Sequence, residues 1–383
     1  MTSPLQGLRV LDFSRVLAGP LATMHLADLG ADVIKVERPA VGDDTRAWGP
    51  PYDDHGQATY FAAVNRNKAS LIADLNDSDD RVALLDLAAR ADVIVENFRP
   101  GVMDGAGLGY GDLQPANPGL VYCSITGFGA DAGATIPGYD LLVQALGGLM
   151  SITGEADGPP QKVGVALVDV CAGLYATSGI LAALRHRDRT GAGQRVEADL
   201  LSSLLAALVN QASAVTLAGK VAGRMGNEHP SIAPYEMLSA RGGSLVVAVG
   251  NDRQFRSLCE ALDAVELCDD PRFVTNADRV ANRRALRAAL ERQLASDAPD
   301  AWVERLLARR VPAGRVNDIA GAIRLATELG LEPTVEVPRD DGSTVTLVRN
   351  PLRMSLTPPR YRNAPPALGP TARDFDSTRW GTR

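Results

Sequence analysis

From Val163 to Leu184 the chain carries a single charged side chain, Asp169, in an otherwise uncharged run, VGVALVDVCAGLYATSGILAAL. A stretch of that length and polarity has two homes, a lipid bilayer or the interior of a folded protein. A lone aspartate inside a span is costly, and the glycines at 164, 173 and 179 suit a strand, a turn and a buried helix. The run therefore reads as buried core: a β-branched strand that ends in Asp169, then a helix from about Ala172 to Leu184. Asp169 is expected where a strand gives way to a helix. Two readings fit that place. One is an N-cap aspartate whose carboxylate serves the helix N–H groups. The other is a carboxylate nucleophile at the carboxyl end of a strand, where open α/β sheets keep their chemistry.

The chain before this run alternates strand and helix patterns. An apolar run at Leu8–Phe13 is followed by Gly19-Pro20, which opens a helical pattern closed by Gly30. Proline at a first helical position and glycine just past the last one mark the two ends. Asp32–Glu37 reads as a second strand, so the unit is β-α-β and the sheet parallel. Further strands are expected at Ser70–Asp74, Val93–Glu96 and Leu120–Ser124, with a helix over Asp80–Ala91. Five strands with intervening helices make a Rossmann-like half. The turn SRVLAGP lacks G-x-G-x-x-G, which argues against a nicotinamide or flavin site. The glycine-dense segment 105–111 reads as a loop.

Helical pattern resumes from Val196 to about Gly219. A new region begins near Gly226, with a strand at Ser244–Val249 and helices over Arg253–Leu262, Asn282–Ala295 and Pro299–Arg309. Residues 334–348 alternate around Asp340-Asp341-Gly342, a hairpin signal. The fold class expected is α/β, with residues 1–220 as the first part of a Rossmann-like large domain. Residues 226–325 form a smaller α/β domain, and 330–383 return to the large one. A chain of 383 residues exceeds what one core usually serves.

A net charge of −7 leaves no basic face for nucleic acid, so an anionic ligand must be held by local Arg and Lys residues. The four cysteines, at 123, 171, 259 and 268, have no metal-ligand or disulfide spacing, which points to a reduced, cytoplasmic setting without a metal site. MTSPLQGLRV has no signal-peptide layout, and no membrane span is expected. No P-loop and no G-x-S-x-G element occurs, which disfavours nucleotide-driven or serine-elbow thioester chemistry. A carboxylate nucleophile needs neither. Basic residues at strand ends, Arg38, Lys68 and Arg99, are candidates to grip phosphate, each competing with the reading of a solvated surface charge.

The series GYD-LLVQALGGLMSITGEADGPPQKVGVALVDVCAGLYATSGILAAL, followed by TGAGQ, resembles the family III CoA-transferases, and the likeness runs from Leu8-Arg9-Val10-Leu11-Asp12 to about Ala364-Pro365. That resemblance implies Asp169 as the catalytic nucleophile. It implies CoA contacts at Leu17, Ala18, Arg38, Ala73, Asp74, Leu75, Asn97, Phe98, Arg99, Gly138, Tyr139 and Asp140. Coenzyme A and acyl-CoA are then substrates and no cofactor is bound permanently. The partners are an acyl-CoA, a carboxylic acid and a second copy of the chain, in an interlocked ring-like homodimer. Two positions depart from the family pattern. Gly105 stands where relatives carry an arginine, which moves phosphate binding to Arg99, and Leu17 stands where formyl-CoA transferases have a glutamine.

The implied reaction is CoA transfer through a mixed anhydride and an aspartyl thioester on Asp169, which must be ionised to attack. Burial raises a carboxyl pKa, while N–H donors and a helix end lower it; the expectation is that the donors prevail at neutral pH. The alternative within the family is a 2-methylacyl-CoA racemase, which carries a histidine where this chain has Tyr139, a poor base at pH 7. A non-catalytic acyl-CoA-binding protein would keep the basic grip and be indifferent to Asp169.

Overall fold

The computed structural model describes residues 2–375, which divide into two compact units. The first unit comprises residues up to 149, 163–220 and those from 330 onward. Its elements in chain order are β1 (Arg9–Asp12), α1 (Ala18–Asp28), β2 (Asp32–Glu37), β3 (Lys68–Ile72), α2 (Ser78–Arg90), β4 (Val93–Glu96) and β5 (Val121–Thr126). They continue with α3 (Asp140–Leu146), α4 (Leu167–Thr190), β6 (Gln194–Asp199), α5 (Leu200–Ala207) and α6 (Val209–Ala218), besides several shorter helices.

The six strands form one sheet in the order β3-β2-β1-β4-β5-β6, every neighbouring pair parallel. The strand sequences explain the burial on both sides. In RVLD, DVIKVE and VIVE successive side chains alternate between faces. Val10, Val33, Val93 and Val121 enter a core with α1, α4 and α5, while Leu11, Ile34, Ile94 and Tyr122 enter a second core with α2.

Helix α4 is the one described helix long and apolar enough to cross a membrane. Its stripe Val168, Ala172, Gly173, Ala176, Ile180, Ala183 and Leu184 is buried in the first core, whereas Leu174, Tyr175 and Leu181 are exposed, so only one face of the run expected as core is buried. Gly173 permits the closest approach: a Cβ there would lie 2.6 Å from the Ala18 carbonyl oxygen of α1.

The sheet differs from the sequence reading in two places. Residues 163–168 form no strand; α4 begins at Leu167, and Asp169 lies in its first turn. The cause is Asp140, whose carboxylate accepts from the Val168 and Asp169 N–H groups and so starts the helix early. The second difference is β6, a sixth strand where Val196 onward had read as helix. Its sequence QRVEAD does alternate, with Val196 and Ala198 packed against the first core, but two small apolar residues on an edge strand are a weak signal. The segment expected as a loop, 105–111, joins two single-turn helices, Val102–Gly105 and Tyr110–Leu113, and overlaps the end of one and the start of the other.

A hairpin of Thr334–Pro338 and Thr344–Val348 turns at the Asp-Asp-Gly element. Beyond it the chain runs along the free edge of β3, with Ile72 N–H donating to Pro370 O and Ala372 N–H to Ile72 O. That covers an edge otherwise open to pairing.

The second unit comprises 150–162 and 221–329. Segment 150–162, read above with the large domain, belongs here because Arg224 donates to the carbonyls of Glu155 and Gly158, and Gly226 N–H to Gly154 O. Three antiparallel strands, Tyr235–Ala240, Gly243–Ala248 and Ala313–Gly314, pack with helices that include Asp252–Ala261, Arg283–Leu294 and Pro299–Ala308. Leu238, Leu245, Val247, Phe255, Leu290, Trp302 and Leu306 fill its core.

Candidate active site

A cavity of about 330 Å³ opens at the carboxyl ends of β1, β4 and β5 in the first unit. The strand order reverses between β1 and β4, and open α/β sheets hold ligands in the crevice at such a point. The loop after β1 supplies Arg15, Val16, Leu17 and Ala18, and the loop after β4 supplies Asn97, Phe98, Arg99 and Pro100. Gly127 and Gly138–Asp140 form a third wall, and Asp169 lies on the cavity surface.

Local sequence builds each wall. Asn97 locks the first two loops together, accepting from Arg15 N–H and donating to Arg15 O, both at 2.8 Å. Gly127 and Gly138 let two backbones touch: a Cβ on Gly127 would meet the Gly138 Cα at 2.4 Å. That contact sets Tyr139 and Asp140 at the start of α3. Asp140 then reaches α4, accepting from Val168 N–H at 2.8 Å and Asp169 N–H at 3.3 Å. Fully buried Gln144 braces the junction, donating to Asp140 and accepting from Val163 N–H at 2.9 Å.

The electrostatics at Asp169 reverse the sequence expectation. Its carboxyl is pushed up to about 7, first by burial and then by the neighbouring Asp140 carboxylate. The helix-end N–H groups that were expected to hold it ionised are bound to Asp140 instead. The group is therefore poised between acid and carboxylate near neutral pH, in the range expected of a reactive carboxyl group in a cleft.

Leu17, Ala18, Asn97, Phe98, Arg99, Gly138, Tyr139, Asp140 and Asp169 all line this one cavity. Arg38, Ala73, Asp74 and Leu75 do not. Arg38 pairs with Asp44, which does line the cavity. Ala73 is buried in the core beneath α2, and Asp74 donates its N–H to Asp80. Lys68, read as a phosphate candidate, is fully buried; its ammonium donates to Asp12, Asn65 and the Pro20 carbonyl, and burial holds it down to about 8. It is a structural cation.

Three residues of the neighbourhood carry no local sequence signal. Arg15 lies over the Phe98 ring, its guanidinium 4.8 Å from the centroid, and brings a cation into the cavity from a loop that reads only as a turn. Tyr60 has its hydroxyl pKa raised by burial and by Asp169, Asp140 and Asp43, and its ring meets Trp48 edge-on at 5.2 Å. Asp43 bonds the Val16 N–H. Gly138 lines this cavity, whereas Gly226 and Gly250 belong to the second unit.

A larger cavity, about 1050 Å³, lies between β2–β3 and the C-terminal segment. It carries none of the predicted CoA contacts and only Lys68 among the phosphate candidates. Volume alone does not locate the chemistry here.

The model of CoA-transferase family III matches residues 5–371. The succinate–glutarate CoA-transferase of Agrobacterium fabrum is 43% identical, over 96% of this chain and 93% of its own length. The acetyl-CoA:oxalate CoA-transferase of Acetobacter aceti is 44% identical, over 84% of this chain and 83% of its own. The crystal structure of a CAIB/BAIF family protein from Brucella suis superposes with a TM-score of 0.85 at 43% identity, covering 96% of this chain and 97% of that one. With the family model spanning nearly all of the sequence and relatives of this similarity named for the reaction, the chain belongs to CoA-transferase family III and is a CoA-transferase.

Proposed function

We propose that this enzyme moves CoA from an acyl-CoA donor to a carboxylic acid with Asp169 as the covalent nucleophile. The observation that carries the reading is a carboxyl group with a pKa near neutrality, in a cavity at the sheet's switch point. In the first step a carboxylate oxygen of Asp169 attacks the thioester carbonyl, the C–S bond breaks, and CoA leaves as thiolate. The thiolate attacks the Asp169 carbonyl of the resulting mixed anhydride, releasing the donor acid and leaving an aspartyl-CoA thioester. The acceptor carboxylate attacks that thioester and expels the thiolate. The thiolate then takes the acceptor's acyl carbon, which frees the Asp169 carboxylate and forms the new acyl-CoA. One thioester replaces another, so the exchange needs no nucleotide, and one hard step becomes several easier ones.

The CoA ester is held along the loops after β1 and β4, with Arg15 and Arg99 as cations for its phosphates and Leu17, Ala18, Asn97 and Phe98 as its walls. Arg38 supports that grip from the cavity's margin, through its pair with Asp44. Backbone N–H groups at Gly138–Tyr139 serve the thioester oxygen. Relatives named for succinate and glutarate and for oxalate support a short dicarboxylate as one exchange partner. The working form is a cytoplasmic homodimer; α6 supports this reading, since it buries none of its residues and leaves Val209 and Leu217 exposed.

The test is chemical trapping. Enzyme mixed with succinyl-CoA and quenched with hydroxylamine is digested and read by mass spectrometry. A hydroxamate at position 169 is the expected product. Modification at another residue, or at none during active turnover, overturns the assignment.

A further inference from the structure

Between β1 and α1 the chain passes through residues 14–17 in a conformation it would not hold unaided. Val16 has φ +69°, the left-handed region, which a β-branched residue avoids. Such a conformation persists only where the surroundings over-determine it, and these positions cluster at ligand clamps.

Here the restraints are explicit. Ser14 N–H donates to Asp12 Oδ1 at 3.0 Å, and Ser14 O accepts from Lys35 Nζ at 2.7 Å. Both backbone groups of Arg15 are bound by Asn97. The strained residue itself has one restraint, its N–H donating to the Asp43 carboxylate at 3.2 and 3.4 Å. Asp43 is in turn fixed: Lys35 Nζ sits 2.8 Å away with both side chains fully buried, and Thr45 donates its N–H and hydroxyl to the same carboxylate. The loop also folds back on the helix it starts, because a Cβ on Gly19 would fall 2.2 Å from the Ser14 side chain.

We infer that Asp43 is a positioning residue for the CoA ester: held by Lys35, it grips the Val16 N–H and so keeps Arg15 and Leu17 set on the cavity wall. Asp43 does not line the cavity; it reaches it through Val16 and through the 44–47 turn it caps, and the Val16→Gly background isolates the first route. Positioning of Val16 is a role distinct from that of counterion to Lys35, and the experiment separates the two. The inference rests on reading the cavity as the CoA-ester site.

Free CoA binding is measured by calorimetry, and KM and kcat with succinyl-CoA, for wild type and Asp43→Asn. The same pair is measured in a Val16→Gly background, in which the left-handed conformation carries no steric cost. Asp43→Asn is expected to weaken CoA binding and raise KM about tenfold, with saturated kcat within about twofold. In the Val16→Gly background the same change is expected to cost less than about threefold, a coupling a simple counterion would not show. CoA binding unaffected by Asp43→Asn, or an equal loss in both backgrounds, overturns the inference. Val16→Pro covers the case in which Asp43→Asn does not fold. It acts on a partly exposed loop, cannot reach positive φ and has no N–H. It is expected to abolish CoA binding while the enzyme still unfolds in a single cooperative transition, and normal binding overturns the inference. A wild-type enzyme that binds no CoA overturns the site reading itself, which is a different result from either.

Discussion

The Asp140 carboxylate accepts hydrogen bonds from the backbone N–H groups of Val168 and Asp169, and by doing so it takes the helix end away from the Asp169 side chain. Two acidic groups thus divide one helix N-terminus: Asp140 holds the donors, and Asp169 meets burial and a like charge, which push it up to about 7. Attack requires the carboxylate form. The free enzyme's kcat/KM should therefore rise with pH through about 7, and at pH 6 stand about tenfold below its alkaline plateau. Asp140→Asn keeps an oxygen for the Val168 N–H but removes the charge, so the limb should move down by roughly one pH unit. A kcat/KM–pH profile of the two enzymes checks both statements, and an unmoved limb refutes the second.

The same shift makes a statement about stability. The folded pKa of Asp169 lies above the unfolded value near 3.9. Its protonated form is thus favoured by folding, a contribution fully present below about pH 4 and lost as pH rises through about 7. Asp169→Asn, a neutral isostere, should be more stable than wild type by about 1–2 kcal/mol at pH 8, with the difference vanishing at pH 4. The side chain is partly open to the cavity, so we expect the lower part of what the shift would allow at 1.4 kcal/mol per unit. Urea unfolding at the two pH values measures it. The same variant should show no transferase turnover.

Packing rather than charge sets the distance between the two helices that begin at the cavity. Gly173 of α4 faces the Ala18 carbonyl of α1, and the oxygen cannot withdraw as a flexible side chain would. Gly173→Ala gains about 1 kcal/mol of helix propensity but forces α1 outward, which costs about 1–3 kcal/mol or more. The clash should win, giving a net loss of about 1–2 kcal/mol in unfolding experiments. Because Ala18 lines the cavity, KM for the acyl-CoA should rise with it. A stabilised variant with unchanged KM would show that α1 is free to shift.

What could be read in the sequence was whatever depends on near neighbours. The order of β1, α1, β2, α2 and β4 followed from apolar runs bounded by Gly, Pro and capping residues, because strands buried on both faces leave an unambiguous signal. The acid at 169 stood out as the one charge in an uncharged run. Strand β6 was hidden because only Val196 and Ala198 mark its inward face, too short a signal to separate from the helical pattern that follows, and pairing with β5 makes it a strand. The ionisation of Asp169 was hidden for another reason. Burial comes first, and the like charge that adds to it is 29 residues away along the chain and competes for the same N–H donors. Arg15, Asp43 and Tyr60 share that character, since each reaches the neighbourhood through tertiary placement.

Arg99 offers the cleanest separation of binding from folding. It is exposed at the end of β4 and lines the cavity beside Arg15. Removing an exposed charge with no structural task usually changes stability by less than about 0.5 kcal/mol. Arg99→Ala should therefore unfold like wild type while raising KM for an acyl-CoA about tenfold, the loss expected of one charge-assisted phosphate contact. The control is the ligand: an acyl-pantetheine carries the same thioester without the nucleotide phosphates. Its KM should be high in both enzymes and differ between them by less than about twofold. If Arg99→Ala weakens both esters equally, the arginine acts at the acyl end, and the phosphates must be held elsewhere along the loops after β1 and β2.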